Sequence, residues 1–223
     1  QLQGYEWLEK NAKMSSFILR FDTDALVLAP YCERLIAQFS GEIGMIGSFI
    51  QSDDPRSNHQ TPGVSYFGKK TKKLQSGVSF WRKPKPHIRT MFAKENRSLK
   101  DDFQLAKTNG YRDGLLIEGG AFALSMDWLS AAREQGLFAE KKRFLNIPVT
   151  EDVIMTMLTY RLGFFAEDSE LFCIEPRGLR HDCSRHLELA KTHPIIHSVK
   201  CDSQEDEQGL RDQLLSNRDP LKL

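Results

Sequence analysis

Two short apolar runs, "FILRF" at residues 17–21 and "ALVLAP" at 25–30, are separated only by Asp22-Thr23-Asp24. Each run is too short for an ordinary helix and carries the branched and aromatic residues of a buried strand. The segment therefore reads as a strand that ends in two like charges. On extended chain, residues two apart point to the same side, about 6 to 7 Å from each other. Two carboxylates so placed repel unless a cation lies near both. Hard divalent ions such as Mg²⁺ or Mn²⁺ take oxygen ligands and are often held by one or two carboxylates together with substrate phosphates. In open α/β sheets, ligands gather at the carboxyl ends of strands, where this pair would sit. Asp22 and Asp24 are therefore candidate metal ligands. The competing reading is a strand entering an ordinary turn, where Asp is common.

Around this pair, helical and strand patterns alternate about one for one, which predicts a layered α/β protein. "QLQGYEWLEKNAK" reads as an amphipathic helix with Leu2, Tyr5, Trp7 and Leu8 toward a core. "YCERLIAQF" reads as a helix, and "EIGMIGSFI" as a strand. Residues 52–76 are polar, with Pro, Gly and a cluster of lysines, and read as a long loop or insertion around a short strand, "GVSYF". "GVSFWR" predicts another strand. "SLKDDFQLAKTNG" predicts a helix closing on Gly110. In "IEGGAFALSMDWLSAAREQG", Gly119-Gly120 reads as a tight turn into a strand. Ser125 suits an N-cap, Asp127 the first turn, and Gly136 the stop. In "TEDVIMTMLTYRLG", Thr150 can cap and Glu151 and Asp152 occupy the positive end of a helix. Val153, Ile154, Met157, Leu158 and Leu162 form its buried stripe, and Gly163 ends it. From Ser198 onward charge and Gln dominate, so residues 201–223 read as a charged tail, a peripheral helix or disordered chain, appended to one domain over residues 1–200.

The bulk composition narrows the function. With 31 basic and 30 acidic residues, the chain lacks the basic excess of a general nucleic-acid binder. No apolar run approaches the ~18 residues of a membrane span, and no signal peptide is evident. Four cysteines, none in a Cys-x-x-Cys pair, do not make a disulfide scaffold or a zinc site. "HDCSRH", with His181, Cys183 and His186, reads as a polar loop, and the sequon at Asn96 is uninformative. Of His193 and His197, His197 is the better candidate ligand, because the apolar residues of "IIHSVK" would hold it in place. Each remaining feature also has a plain structural explanation. Acids at a helix N-terminus stabilise it by about 0.3–1 kcal/mol without any active site. For Trp81 and Trp128, core packing is the favoured reading.

The order of these pieces carries more than any one of them. "FILRFDTDALVL", "IEGGAFALSMDWL" and "TEDVIMTMLTYRLGF", followed by a late histidine, together resemble the GT-A-fold inverting glycosyltransferases, most closely the β-1,3-galactosyltransferase and Fringe type. The resemblance covers roughly residues 3–165. Thr23 stands where that family usually has a further Asp. The resemblance implies a mixed sheet flanked by helices, lacking the N-terminal nucleotide-binding part, since only one helix precedes the acidic pair. It implies Mn²⁺ (or Mg²⁺) held by Asp24, with Asp22 assisting and His197 as a further ligand. Asp152 would be the general base and Glu151 its support. Gly119 and Gly120 would let the backbone pass close to the donor's sugars. The implied partners are a nucleotide-sugar donor, a UDP-sugar by preference, and a hydroxyl of a glycan or other acceptor. Any membrane association would come through parts absent from this chain. The implied compartment depends on the source: Golgi lumen in a eukaryote, cytoplasm or its membrane face in a bacterium. Two alternatives stay open: a haloacid-dehalogenase-like phosphohydrolase using Asp22 and Asp24, and a non-catalytic sugar-binding relative.

Overall fold

A computed structural model describes residues 2–12, 15–50, 97–112, 115–144, 151–174, 183–197, 199, 201 and 203–216. The expected loop at 52–76, the strands "GVSYF" and "GVSFWR", and Trp81, Asn96, Thr150 and His181 lie outside the described residues. The chain is mixed α/β: two mixed sheets flanked by helices. The elements are α1 (Leu2–Asn11), β1 (Phe17–Phe21), β2 (Leu26–Val27), α2 (Cys32–Gln38), β3 (Ile43–Ile50), α3 (Arg97–Thr108), β4 (Leu116–Ser125) and α4 (Met126–Glu134). A 3₁₀ turn (Lys141–Phe144) precedes α5 (Glu151–Arg161), β5 (Phe165–Asp168), β6 (Phe172–Ile174), α6 (Cys183–Leu189), β7 (Ile195–His197) and α7 (Gln204–Ser216). No helix among the described residues is long and apolar enough to cross a membrane.

The larger sheet has the order β1-β4-β3-β5, with β1 and β3 antiparallel to β4 and β5 parallel to β3. The smaller sheet has the order β2-β7-β6. Alternation along the strands divides the larger sheet into two faces. Ile18, Met45, Phe122 and Leu124 join the main core with Trp128 and the apolar residues of α3, α4 and α5. Phe17, Leu19, Ile46, Ala121 and Ala123 pack instead with Leu35, Leu171, Phe172 and Ile195, toward the smaller sheet. The core helix α5 is buried all round from Val153 to Tyr160, well beyond a single stripe. Its two buried threonines are tolerated because each hydroxyl is satisfied. Thr156 Oγ1 donates to the Asp152 carbonyl at 2.8 Å and accepts from the Ile117 N–H at 2.9 Å. Thr159 Oγ1 donates to the Met155 carbonyl and accepts from Trp128 Nε1 at 3.0 Å. The start of α5 is thereby pinned to β4.

Helix boundaries follow the expected chemistry. Ser125 Oγ caps α4 by accepting from the Trp128 N–H at 3.0 Å, and Gly110, Gly136 and Gly163 follow their helices with positive φ. Four expectations are corrected. Trp7 is 63% exposed rather than packed on the core. It lies about 200° round the helix from Tyr5, and the inward position next along is taken by Glu9, only 6% exposed and paired to Arg133 at 2.6 Å. Gly119-Gly120 is not a turn, because β4 runs unbroken from Leu116 to Ser125. The other two concern the acidic pair and "HDCSRH" and are given below. Residues 204–216 of the expected tail form α7, whose Leu210 and Leu214 pack with Leu28, Ile196 and Val199.

Candidate metal centre and the acid end of helix α5

β1 ends at Phe21, and the chain then turns instead of continuing extended. The Asp22 N–H donates to the Gly120 carbonyl at 2.9 Å, and the Ala25 N–H closes the turn on the Asp22 carbonyl at 3.0 Å. The expectation that strand alternation places the two acids side by side is therefore corrected: a turn draws Asp22 and Asp24 together, not strand alternation. Beyond it, β2 pairs with β7, Leu26 opposite Ile196, which brings His197 to the same place. One ligand atom from each of Asp22, Asp24 and His197 lies within 4.8 Å of the others. His197 Nε2 is 3.2 Å from Asp24 Oδ1 and 3.5 Å from Asp22 Oδ2.

The donor set fits a divalent cation of the Mn²⁺ kind, which accepts carboxylate oxygen and imidazole nitrogen together. Neighbouring ligands of a six-coordinate ion with bonds near 2.1 Å stand about 3 Å apart, a spacing that the distances from His197 to the two acids approach. A second observation supports the fit. A methyl group on Gly120 would overlap the His197 ring at Nδ1, Cγ and Cε1. Only glycine leaves room for this imidazole to lie against β4 with Nε2 toward the two acids.

β4 itself explains how both sides of the site meet. Its register with β3 passes from Gly47↔Phe122 to Phe49↔Ile117, so residues 118–121 bulge away from their partner. Glycine inside a strand commonly marks such a bulge. Within the bulge, Gly119 faces the helices and Gly120 faces the smaller sheet. The Gly119 N–H donates to Asp152 Oδ2 at 3.2 Å, and a methyl group there would lie 2.8 Å from Asp152 Oδ1. Two consecutive glycines thus seat Asp152 on one face and His197 on the other.

Arg20 joins the halves. Its Nη2 is 2.8 Å from Asp22 Oδ1 and 3.4 Å from Glu151 Oε1, and its guanidinium carbon lies 5.5 Å from the centre of the Phe122 ring. Tyr5 lies close to the same group. Burial pushes its phenol well above the usual range, with the charge of Glu151 adding and that of Arg20 opposing.

Asp22, Asp24, Gly119, Gly120, Glu151, Asp152 and His197 are therefore brought into one region, although they come from four separated segments. The other candidates go elsewhere. His193 Nδ1 is 2.8 Å from Thr192 Oγ1 and away from the cluster. Trp128 is a core residue and not a sugar platform. The reading of "HDCSRH" as a polar loop is corrected: Cys183–His186 open α6, and His186 is fully buried because its helix packs inward there. Arg20 was missed by sequence reasoning. Its signal is a charge placed two residues after Ile18, on the inward phase of an otherwise apolar strand. Set beside protein-family models and curated proteins, the sequence matches none of them.

Proposed function

We propose that this chain is the catalytic portion of a metal-dependent, inverting GT-A-type glycosyltransferase. It would move a sugar from a nucleotide-sugar donor, a UDP-sugar by preference, to a hydroxyl of a glycan or other acceptor. The observation that carries this reading is the glycine pair: Gly119 touches Asp152, and Gly120 touches the His197 of the Asp22–Asp24 cluster. A cation-binding group and a carboxylate base thereby share one strand bulge.

Asp24, Asp22 and His197 would hold Mn²⁺ or Mg²⁺. Such an ion, when bound, neutralises the charge that grows on a departing diphosphate. Asp152 would accept the proton of the attacking hydroxyl. Its Oδ2 is fixed by the Gly119 N–H and its backbone by Thr156, so the carboxylate is held for its task. A base so positioned contributes about 10²–10⁴ in rate. Attack from the side opposite the leaving group inverts the anomeric carbon. Glu151, held by Arg20, would contact the acceptor or keep Asp152 in place.

The phosphohydrolase alternative needs an Asp22 oxygen available to attack phosphorus. Here Oδ1 is occupied by Arg20 and Oδ2 faces His197, which disfavours it. The test is turnover of UDP-sugars by the full chain in Mn²⁺ against chelator, with a generic aryl phosphate in parallel. Metal-dependent release of UDP supports the transferase. Aryl-phosphate hydrolysis without UDP release replaces it with the phosphohydrolase. UDP-sugar binding without turnover replaces it with the non-catalytic relative.

A further inference from the structure

We propose that Arg20 is a positioning residue: it fixes one oxygen of Asp22 so that the other is presented to the cation beside Asp24 and His197. The proposal rests on the cation site of the transferase reading. The division of labour on Asp22 is direct. Oδ1 takes Arg20 Nη2 at 2.8 Å, and Oδ2 is the oxygen that faces His197 Nε2. The same nitrogen reaches Glu151 at the first residue of α5. One guanidinium nitrogen therefore ties the cation side of the site to the helix end that carries Asp152. The guanidinium is itself held, half-buried on the helical face against Phe122.

Its other terminal nitrogen argues the same way. Arg20 Nη1 is buried with no hydrogen-bond partner among the described residues. An arginine placed only to close a structural network would use its fork in full. Of this one's two terminal nitrogens, Nη2 alone meets the acids of the site among the described residues. Groups that hold a metal's ligands in place typically change metal affinity about 10–100-fold when removed.

The charge of Arg20 supplies a rival account whose effect has the opposite sign. If Arg20 served only to offset the acids, its removal would leave a more negative site and tighten cation binding. If it positions Asp22, removal loosens binding. The experiment is Mn²⁺ titration of the full chain, read from the electron-spin-resonance signal of free Mn²⁺, for wild type, Asp22→Asn, Arg20→Met and Arg20→Lys. The expected result is tight binding in wild type, loss in Asp22→Asn, and affinity lower by about 10–100-fold in Arg20→Met. Arg20→Lys recovers most of it, since a single ammonium can bridge both acids as Nη2 does. Should the methionine variant fail to fold, Arg20→Gln is read by the same criterion. Unchanged or tighter Mn²⁺ binding in the neutral variant overturns the role of Arg20 and leaves the cation site standing. Wild type that binds Mn²⁺ no better than Asp22→Asn overturns both.

Discussion

The two faces of β4 are built differently, and the site draws on both. On the helical face, Glu151 and Asp152 open an eleven-residue helix whose next eight residues are all buried. On the other face, Asp24 and His197 stand at a turn and at the end of a three-residue strand. The proposed base is thus carried by a deeply buried helix, whereas the proposed cation ligands sit on short elements. A base must meet its proton within hydrogen-bond distance, so rigidity serves it. Ligands so placed would gain order on binding a cation, and that coupling would add stability to the folded state.

The largest effects should separate the two faces in rate and in binding. Asp152→Asn is expected to lower transfer by about 10²–10⁴-fold while leaving Mn²⁺ affinity within error. Asp24→Asn is expected to abolish both. Steady-state transfer from a UDP-sugar and Mn²⁺ titration on the same preparations make the comparison. Transfer retained by Asp152→Asn removes Asp152 from its role.

Next in size is the far end of the same helix. Arg161 Nε is 3.0 Å from Asp102 Oδ1 in a largely buried pair, and Arg161 Nη1 reaches the exposed Gln135 at 2.7 Å. Here a carboxylate meets a guanidinium. At the site, by contrast, the carboxylates of Asp22, Asp24, Glu151 and Asp152 gather beside Arg20 and the His197 imidazole. In the proposed reading the Arg161 pair is scaffold, and the acid-rich end would receive a cation. Asp102→Ala leaves Arg161 buried without its counter-charge and should cost about 3–5 kcal/mol in urea unfolding. Mn²⁺ affinity, measured where the variant is folded, should not move.

The glycine pair gives a sharper comparison, because the two residues are adjacent in sequence. Gly119→Ala pushes the Asp152 carboxylate, the end of its side chain, out of its held position, so it should reduce transfer with little loss of stability. Gly120→Ala drives a methyl into the His197 ring. It should weaken Mn²⁺ binding and cost about 1–3 kcal/mol, as overpacking does. If both substitutions impair Mn²⁺ binding equally, the division of the bulge between two faces is wrong.

Much of this was legible in the sequence where local chemistry decides. The Ser125 cap, the glycines after the helices and the acids at the start of α5 each follow from a few neighbouring residues. The long-range features were not legible. Nothing local pairs residues 17–21 with 121–125 or sets the register shift at Gly47. For that reason Gly119-Gly120 reads as a turn in the sequence, although it is a bulge inside a strand. Glu9 was hidden because its partner, Arg133, lies on a distant helix. The convergence of Asp22, Asp24 and His197 was anticipated from a resemblance in motif order, but the means differ. A turn brings the acids together, and the short β2–β7 pairing delivers the histidine.

The smallest effect tests whether the helical face is a finished scaffold up to its acid end. Tyr5 packs edge-on against Trp128, with ring centres 6.4 Å apart. Its hydroxyl is buried without a hydrogen-bond partner among the described residues. A buried polar group left unsatisfied costs about 1–3 kcal/mol, whereas the ring contributes its packing regardless of the oxygen. Tyr5→Phe should therefore leave urea stability unchanged or raise it by up to about 1 kcal/mol. A loss of stability instead, together with weaker Mn²⁺ binding, would mean that the hydroxyl supports the Glu151–Arg20 pair. The acid end of the site would then reach into the core of the helical face, and the contrast between rigid scaffold and cation-dependent mouth would have to be drawn one layer deeper.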